Sequence, residues 1–261
     1  MAEEHKTENI ELIKHCSETD LTGVSRYIFE LENCPPISVY LQGDLEKQRY
    51  GPVIMTIHNV GSSYRSMVDF INHPEMLEVK NRCMFLHVSL FGQSPEAEEL
   101  TVNFPSLQDI GMSLVTVLDE LRIKSIVLLG DGAGAYIALR FGMCHPTRTE
   151  GVIMINGTAS APSTSYLESI LETIGLVDGN NVTPEEGQLN KQNMRKYSEV
   201  YTRRNSMLEE LMDRVSFDLL LVSGGLSGVL ADADEIIARV KPGKASIIKV
   251  VQAYRVITGL I

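Results

Sequence analysis

Lys124-Ser125-Ile126-Val127-Leu128-Leu129-Gly130-Asp131-Gly132-Ala133-Gly134-Ala135-Tyr136 is an apolar run that breaks into alternating small residues and then into a helix-period pattern. Such a run reads as a buried strand, a tight turn and a helix. A junction of this kind can present a nucleophile in the form small-x-nucleophile-x-small, with the backbone strained so that the middle side chain stands clear above the sheet. Gly130 and Gly134 supply the small positions, and the middle position is Gly132. Glycine has no atom that attacks a carbonyl. The turn therefore has the form of a nucleophile elbow without its chemistry.

Outward from the elbow, strands and helices alternate. Gly23 to Leu31 and Ile37 to Leu41 read as extended segments joined at Asn33-Cys34-Pro35-Pro36, an antiparallel edge hairpin. Val53 to His58 is a buried strand that opens into Asn59-Val60-Gly61-Ser62-Ser63 and a helix carrying Met67, Phe70 and Ile71. Cys83 to Val88 is the next strand, followed by the loop Phe91-Gly92-Gln93-Ser94-Pro95. Ser106-Leu107-Gln108-Asp109 is a capping box, and Leu107, Ile110, Leu114, Leu118 and Leu121 fall on one face of a single helix. After the elbow helix, ended by His145-Pro146, come strands at Gly151 to Ile155, Phe217 to Val222 and Ala245 to Val251, with a helix at Asp232 to Val240.

Strands separated by helices imply parallel pairing, and with the elbow they predict an α/β-hydrolase fold: a mostly parallel, doubly wound sheet with an inserted helical cap. The expected divisions are a flexible N-terminal segment over 1–20, a first core part over 21–158, the cap over 159–214 and a second core part over 215–261. In the cap, Thr183-Pro184-Glu185-Glu186 and Ser206-Met207-Leu208-Glu209 have the form of helix starts. Gln252 to Ile261 is β-branched and broken by Gly259, a poor helix, so the usual last helix is expected to be missing. That predicts a truncated or alternatively ended chain with uncovered apolar sheet and a tendency to self-associate.

The chain has 261 residues, 44% hydrophobic and 22% charged, which suffices for a substantial core. Its net charge of -11 argues against nucleic acid, which needs clustered Lys and Arg. Cys16, Cys34, Cys83 and Cys144 form no C-x-x-C pair and have no metal-ligand spacing with histidine, so they read as reduced thiols, with no metal and no cofactor. The first residues are acidic rather than apolar, and no stretch approaches the ~20 apolar residues of a membrane span. The expectation is a cytoplasmic protein.

Thr56-Ile57-His58-Asn59-Val60-Gly61 is similar to a T-x-H-D-V-G motif, and Gly130 to Tyr136 to G-V-G-A-G-A-Y, both of the N-myc downstream-regulated (NDRG) family. Phe91-Gly92-Gln93, Glu150 to Asn156 and, in the cap, Tyr197 with Arg203-Arg204 add to the resemblance, which runs from about Pro36 to Val250. Asn59 stands where the family has aspartate, the cap is shorter, and the residues after Val250 depart from the pattern. The resemblance implies a non-catalytic relative of the α/β-hydrolases, a cytoplasmic protein of signalling, differentiation or stress response acting through protein partners. It names no ligand.

A triad in this fold runs nucleophile, acid, histidine, with the histidine on the loop after the last strand. After Gly132 the only histidine in the sequence is His145, which ends the elbow helix and points away from the turn. The loop after Val222 reads Ser223-Gly224-Gly225-Leu226-Ser227-Gly228, with no carboxylate before Asp232. All three roles are empty, and the expectation is no triad hydrolase. Two enzymatic alternatives stand beside it. Gly130-x-Gly132-x-x-Ala135 satisfies a dinucleotide fingerprint, though Asp131 would put negative charge in the phosphate turn and the next strand ends in Asn156 where an acidic ribose ligand is wanted. Asp131 as a carboxylate nucleophile would need a small residue at Leu129 and would still lack a base, so Asp131 reads as a solvated turn residue.

The candidates for ligand or partner contacts are His58, Asn59, Gly61, Asp131 and Ala133 around the elbow and Tyr197, Arg203 and Arg204 in the cap. His58 begins a loop shaped like an oxyanion loop, but a histidine at a strand end is more often a hydrogen-bonded structural residue. Tyr197, Tyr201, Arg203 and Arg204 lie at helical spacing and read either as a partner patch or, more simply, as a solvated helix face.

Overall fold

The computed structural model of the protein describes residues 23–44, 51–95, 97–161, 189–224 and 229–250. Strands β1 (Val24–Phe29), β2 (Ile37–Gln42), β3 (Val53–Ile57) and β4 (Met84–Ser89) surround helices α1 (Tyr64–Asn72) and α2 (Leu77–Arg82) in the first part of the chain. Then come α3 (Leu107–Ser113), α4 (Val115–Glu120), β5 (Ile126–Asp131), α5 (Ala133–Cys144) and β6 (Thr149–Ile155). The second part holds α6 (Lys191–Thr202), α7 (Leu211–Arg214), β7 (Asp218–Gly224), α8 (Leu230–Arg239) and β8 (Ala245–Val250).

One sheet forms, in the order β1-β2-β4-β3-β5-β6-β7-β8. β1 and β2 form the expected antiparallel edge hairpin, β2 joins β4 antiparallel, and every pairing from β4 to β8 is parallel. Each parallel step needs a crossover, which is why helices fall between these strands. One face packs α3, α4, α5 and α8 against Ile126, Leu128, Val152, Met154, Leu219 and Leu221. The opposite face is closed by α1, whose Met67 packs with Leu129 and Ile155 and whose Ile71 packs with Phe85. The predicted α/β-hydrolase architecture is present.

The helix expected over Leu107 to Leu121 differs in one respect. Ser106 caps it as the sequence predicts, its Oγ accepting from Asp109 N at 3.0 Å, but it breaks at Leu114 into α3 and α4. Leu107, Ile110, Leu114 and Leu118 stay buried on one side across the break, so burial of the stripe prevails over helix continuity. Cys34, Cys83 and Cys144 are in no disulfide, and among the described residues no helix is long and apolar enough to cross a membrane. In the cap, α6, a 3-10 turn over Leu208–Glu210 and α7 are helical, and just before the turn Ser206 Oγ accepts from Leu208 N at 3.3 Å. The N-terminal segment 1–20, the Thr183 helix start and Gln252 to Ile261 lie outside the described residues.

Candidate functional site

β3, β5 and β6 end level with one another, Ile57 opposite Gly130 and Asp131 opposite Ile155. Between β5 and α5 stands Gly132, with φ +52° and ψ −111°. This is backbone that L side chains rarely adopt, and it carries the chain from strand to helix in a single residue. The neighbouring glycines are steric necessities: a Cβ on Gly134 would lie 2.2 Å from Ile57 O, and one on Gly130 2.5 Å from Ala135 N. The small-x-x-x-small pattern thus lets α5, buried from Ala133 through Met143, seat directly on the strands. The elbow is fully built.

What occupies it is Asn59. The turn Asn59 to Ser62, closed by Ser62 N donating to Asn59 O at 3.3 Å, has Gly61 at φ +74°, the position where a tight turn wants glycine. That turn aims the Asn59 side chain over Gly132. Its Oδ1 accepts from Ala133 N at 2.9 Å and from Val60 N at 2.8 Å. In an α/β-hydrolase the N–H of the residue after the nucleophile and an N–H from the loop after β3 make the oxyanion hole. Both donors are present here, and both are taken by the amide oxygen. A Cβ at position 132 would come within 2.3 Å of Asn59 Cγ and Oδ1, so Asn59 fills the nucleophile's place as well as the oxyanion's.

His58 is fully buried and structural. Its Nδ1 donates to Asn59 O at 2.9 Å, its Nε2 accepts from Leu90 N at 3.2 Å, and burial pushes its pKa down to about 4. The neutral ring holds the loops after β3 and β4 together. His145 caps the far end of α5, its ring bonded to Met112 O, and takes no part in the elbow. At the acid's expected place Ser223 is buried and Gly224 N donates to Asn156 Oδ1 at 3.3 Å; 225–228 lie outside the described residues. Ala133 contributes its N–H alone. That engaged N–H also closes the start of α5 to a pyrophosphate, against the dinucleotide reading.

Two expectations are corrected. Asp131 is not a solvated turn residue: it is the last residue of β5, paired with Ile155, and is 3% exposed. Loss of solvent pushes its carboxyl up to about 7, and its charge helps to raise the pKa of the buried Tyr197 phenol, a smaller effect than burial itself. Nor is Tyr197-Tyr201-Arg204 a solvated face. α6 buries Met194, Tyr197 and Tyr201; Tyr197 Oη donates to His58 O at 3.3 Å and its ring stacks on Phe104; Arg204 is buried and Arg203 alone is exposed. Tyr and Arg carry long apolar bodies, so a polar-looking stripe can be the buried one.

Sequence reasoning did not single out the residues that anchor the cap. Asn193 Nδ2 donates to Gly92 O and Glu98 O at 3.0 and 2.8 Å while its Oδ1 accepts from Leu100 N at 2.8 Å, tying α6 to the loop after β4. Tyr136 Oη donates to Asn205 O at 2.9 Å, tying the cap to α5. Nothing marks Asn193 in the sequence, whereas Tyr136 sits in the elbow motif. Among the described residues no group of His, Cys, Asp or Glu is placed to hold a metal.

The sequence profile of the Ndr family matches residues 30–173. Among relatives, uncharacterized protein ZK1073.1 of Caenorhabditis elegans is 31% identical over 222 residues, covering 76% of this chain and 68% of that protein. Protein NDRG1 of Xenopus tropicalis is 34% identical over 108 residues, 40% of this chain and 27% of that one. This chain thus matches about a quarter of NDRG1's length. Among solved structures, a hydrolase from Pseudomonas aeruginosa PA01 superposes with a TM-score of 0.66 at 16% identity, covering 87% of this chain and 90% of the other. The enol-lactonase from Burkholderia xenovorans LB400 gives 0.63 at 12% identity, with 85% and 91% covered. At such identities the two structures establish the α/β-hydrolase fold alone. With its profile matched over more than half its length, the chain belongs to the Ndr family.

Proposed function

We propose that this protein works by binding rather than by catalysis, as a degenerate α/β-hydrolase acting as a cytoplasmic binding or regulatory protein in signalling, differentiation or stress response, with proteins as its partners. The carrying observation is the side chain of Asn59, whose Oδ1 accepts from Ala133 N and Val60 N at the point where an acyl-transfer transition state would place its oxyanion. An acyl enzyme needs a nucleophile at Gly132, an empty hole and a base. Position 132 offers no attacking atom, the hole is filled, and no histidine follows His145 among residues 146–261.

Self-association is the second part of the proposal. Among the described residues β8 is an edge strand, on which Ile248 is 52% and Val250 38% exposed, and apolar groups along a strand edge invite a second copy.

The catalytic half is tested with a fluorophosphonate probe and short acyl esters. The expected result is no labelling at the elbow and no turnover above background, in wild type and in Gly132→Ser alike. Stoichiometric labelling of an elbow residue, or a gain above about a hundredfold in Gly132→Ser, the low end of what a general base supplies, refutes the reading.

A further inference from the structure

Arg204 follows α6 and turns its guanidinium back beneath it. Nη1 donates to Tyr201 O at 2.8 Å, and the guanidinium carbon lies 3.8 Å from the centre of the Tyr201 ring and 5.8 Å from that of Tyr136. The residue is 7% exposed, and its Nε and Nη2 are shielded from solvent with no hydrogen-bond partner among the described residues. Those two nitrogens share one edge of the planar group, the edge that grips two oxygens of a carboxylate or phosphate in parallel.

Ring contact offsets only part of the cost of burying this charge. A desolvated cation over an aromatic face gains less than a buried ion without a counter-charge loses, and each unmet donor adds to the cost. Three other cations of the described cap are paired: Arg195 with Glu199, Lys196 with Glu99, Arg214 with Glu210. Arg140 beneath them also reaches Glu210. Arg204 is buried among aromatic rings with its bidentate edge unused.

We propose that the Nε and Nη2 edge of Arg204 is an oxoanion site that takes the carboxylate or phosphate group of a small ligand between the cap and α5. The site is separate from the elbow and holds whether or not the protein has any hydrolytic activity. Because the two nitrogens are out of contact with water, the anion enters as the Arg203 to Met207 segment lifts from Tyr136, so binding clamps the cap to the core.

The test uses the full chain with acetate and inorganic phosphate as separate probes, each against chloride at matched ionic strength. About 50 mM of the bound anion is expected to raise Tm by roughly 4 °C or more beyond chloride. Acetate alone doing so marks a carboxylate site, phosphate alone a phosphate site, and both a general oxoanion site. Arg204→Met keeps the stem without the fork and is expected to lose the increment. Arg204→Lys keeps the charge and is expected to retain only part of it. Should Arg204→Met fail to fold, the Arg204 Nε–H resonance of wild type decides instead, moving saturably with the bound anion. No response beyond chloride, an equal response in a folded Arg204→Met, or an unmoved resonance overturns the proposal.

Discussion

Substituting Gly132 by alanine and Asn59 by alanine, singly and together, tests whether one side chain holds the elbow in its present state. At φ +52° and ψ −111° an alanine carries backbone strain of about 1–3 kcal/mol. Its Cβ would also sit 2.3 Å from Asn59 Cγ and Oδ1 and 2.4 Å from Nδ2, far inside the ~3.5 Å of carbon contact. Since Gly132 is held by its N–H to Ile155 O and by Ala135 N to its own carbonyl, Asn59 must swing out. It then gives up the bonds from Ala133 N and Val60 N, at a net ~0.5–1.5 kcal/mol each. Gly132→Ala should thus cost about 2–6 kcal/mol, and Asn59→Ala about 1–3. In the double variant those bonds are already gone and the new methyl meets open space, so the pair should cost no more than Gly132→Ala alone. The coupling, about 1–3 kcal/mol, is read from urea unfolding midpoints with unchanged slopes. Additivity within ~0.5 kcal/mol would refute the claim that Asn59 and a side chain at 132 compete for one space.

Asn59→Asp places a carboxylate on the same two N–H donors at the start of α5, which holds its folded pKa below the unfolded ~3.9. Near pH 5, where the neighbouring Asp131 is protonated, the variant should be more stable than wild type by about 1 kcal/mol; that gain disappears as pH falls through the folded pKa. No gain at that pH would count against an intact hole. Asp131 has the opposite sign, because its folded pKa, about 7, lies above the unfolded value. It withdraws stability as pH rises from about 4 to about 7, by up to roughly 4 kcal/mol. Asp131→Asn should remove that slope and be the more stable protein near pH 8; parallel pH profiles would show that the carboxyl is solvated after all. Sedimentation at micromolar concentration should show reversible self-association weakened by Ile248→Lys, and a clean monomer binding no hydrophobic dye contradicts the exposed β8 edge as an interface.

The architecture was legible because its signals are local. Buried strands read as unbroken apolar runs, the helix stripe of Leu107 to Leu118 has a 3.6 period, and the glycines at 130, 132 and 134 announce a close strand–helix approach. What was misread depends on contacts across the chain. Asp131 looks like a turn residue until β6 is set beside it, and the Tyr197 to Arg204 stripe looks solvated until Phe104, the His58 carbonyl and Tyr136 are brought against it. Asn59 could be named as a candidate from its loop, but its bond to Ala133 joins residues 74 positions apart. No window of sequence contains both.

On the proposed non-catalytic reading, that bond also explains how an elbow can persist without a reaction. The strained turn is retained by packing, since α5 can seat on β3 only if residues 130 and 134 lack side chains, and the chain must then reverse through a residue such as Gly132. Once the turn exists, it presents the Ala133 N–H at the start of α5, beside the Val60 N–H of the loop after β3, and leaving such donors unpaired is costly. A hydrolase leaves that cost to be met by substrate during turnover. Here the chain meets it itself, with a neutral acceptor delivered by the Gly61 turn, and a hole satisfied in the resting state has no unmet donor left for a transition state to gain from. If the proposed binding role holds, the geometry of the elbow belongs to folding, and the place to seek a ligand is the cap, where Arg204 still has donors unmet among the described residues.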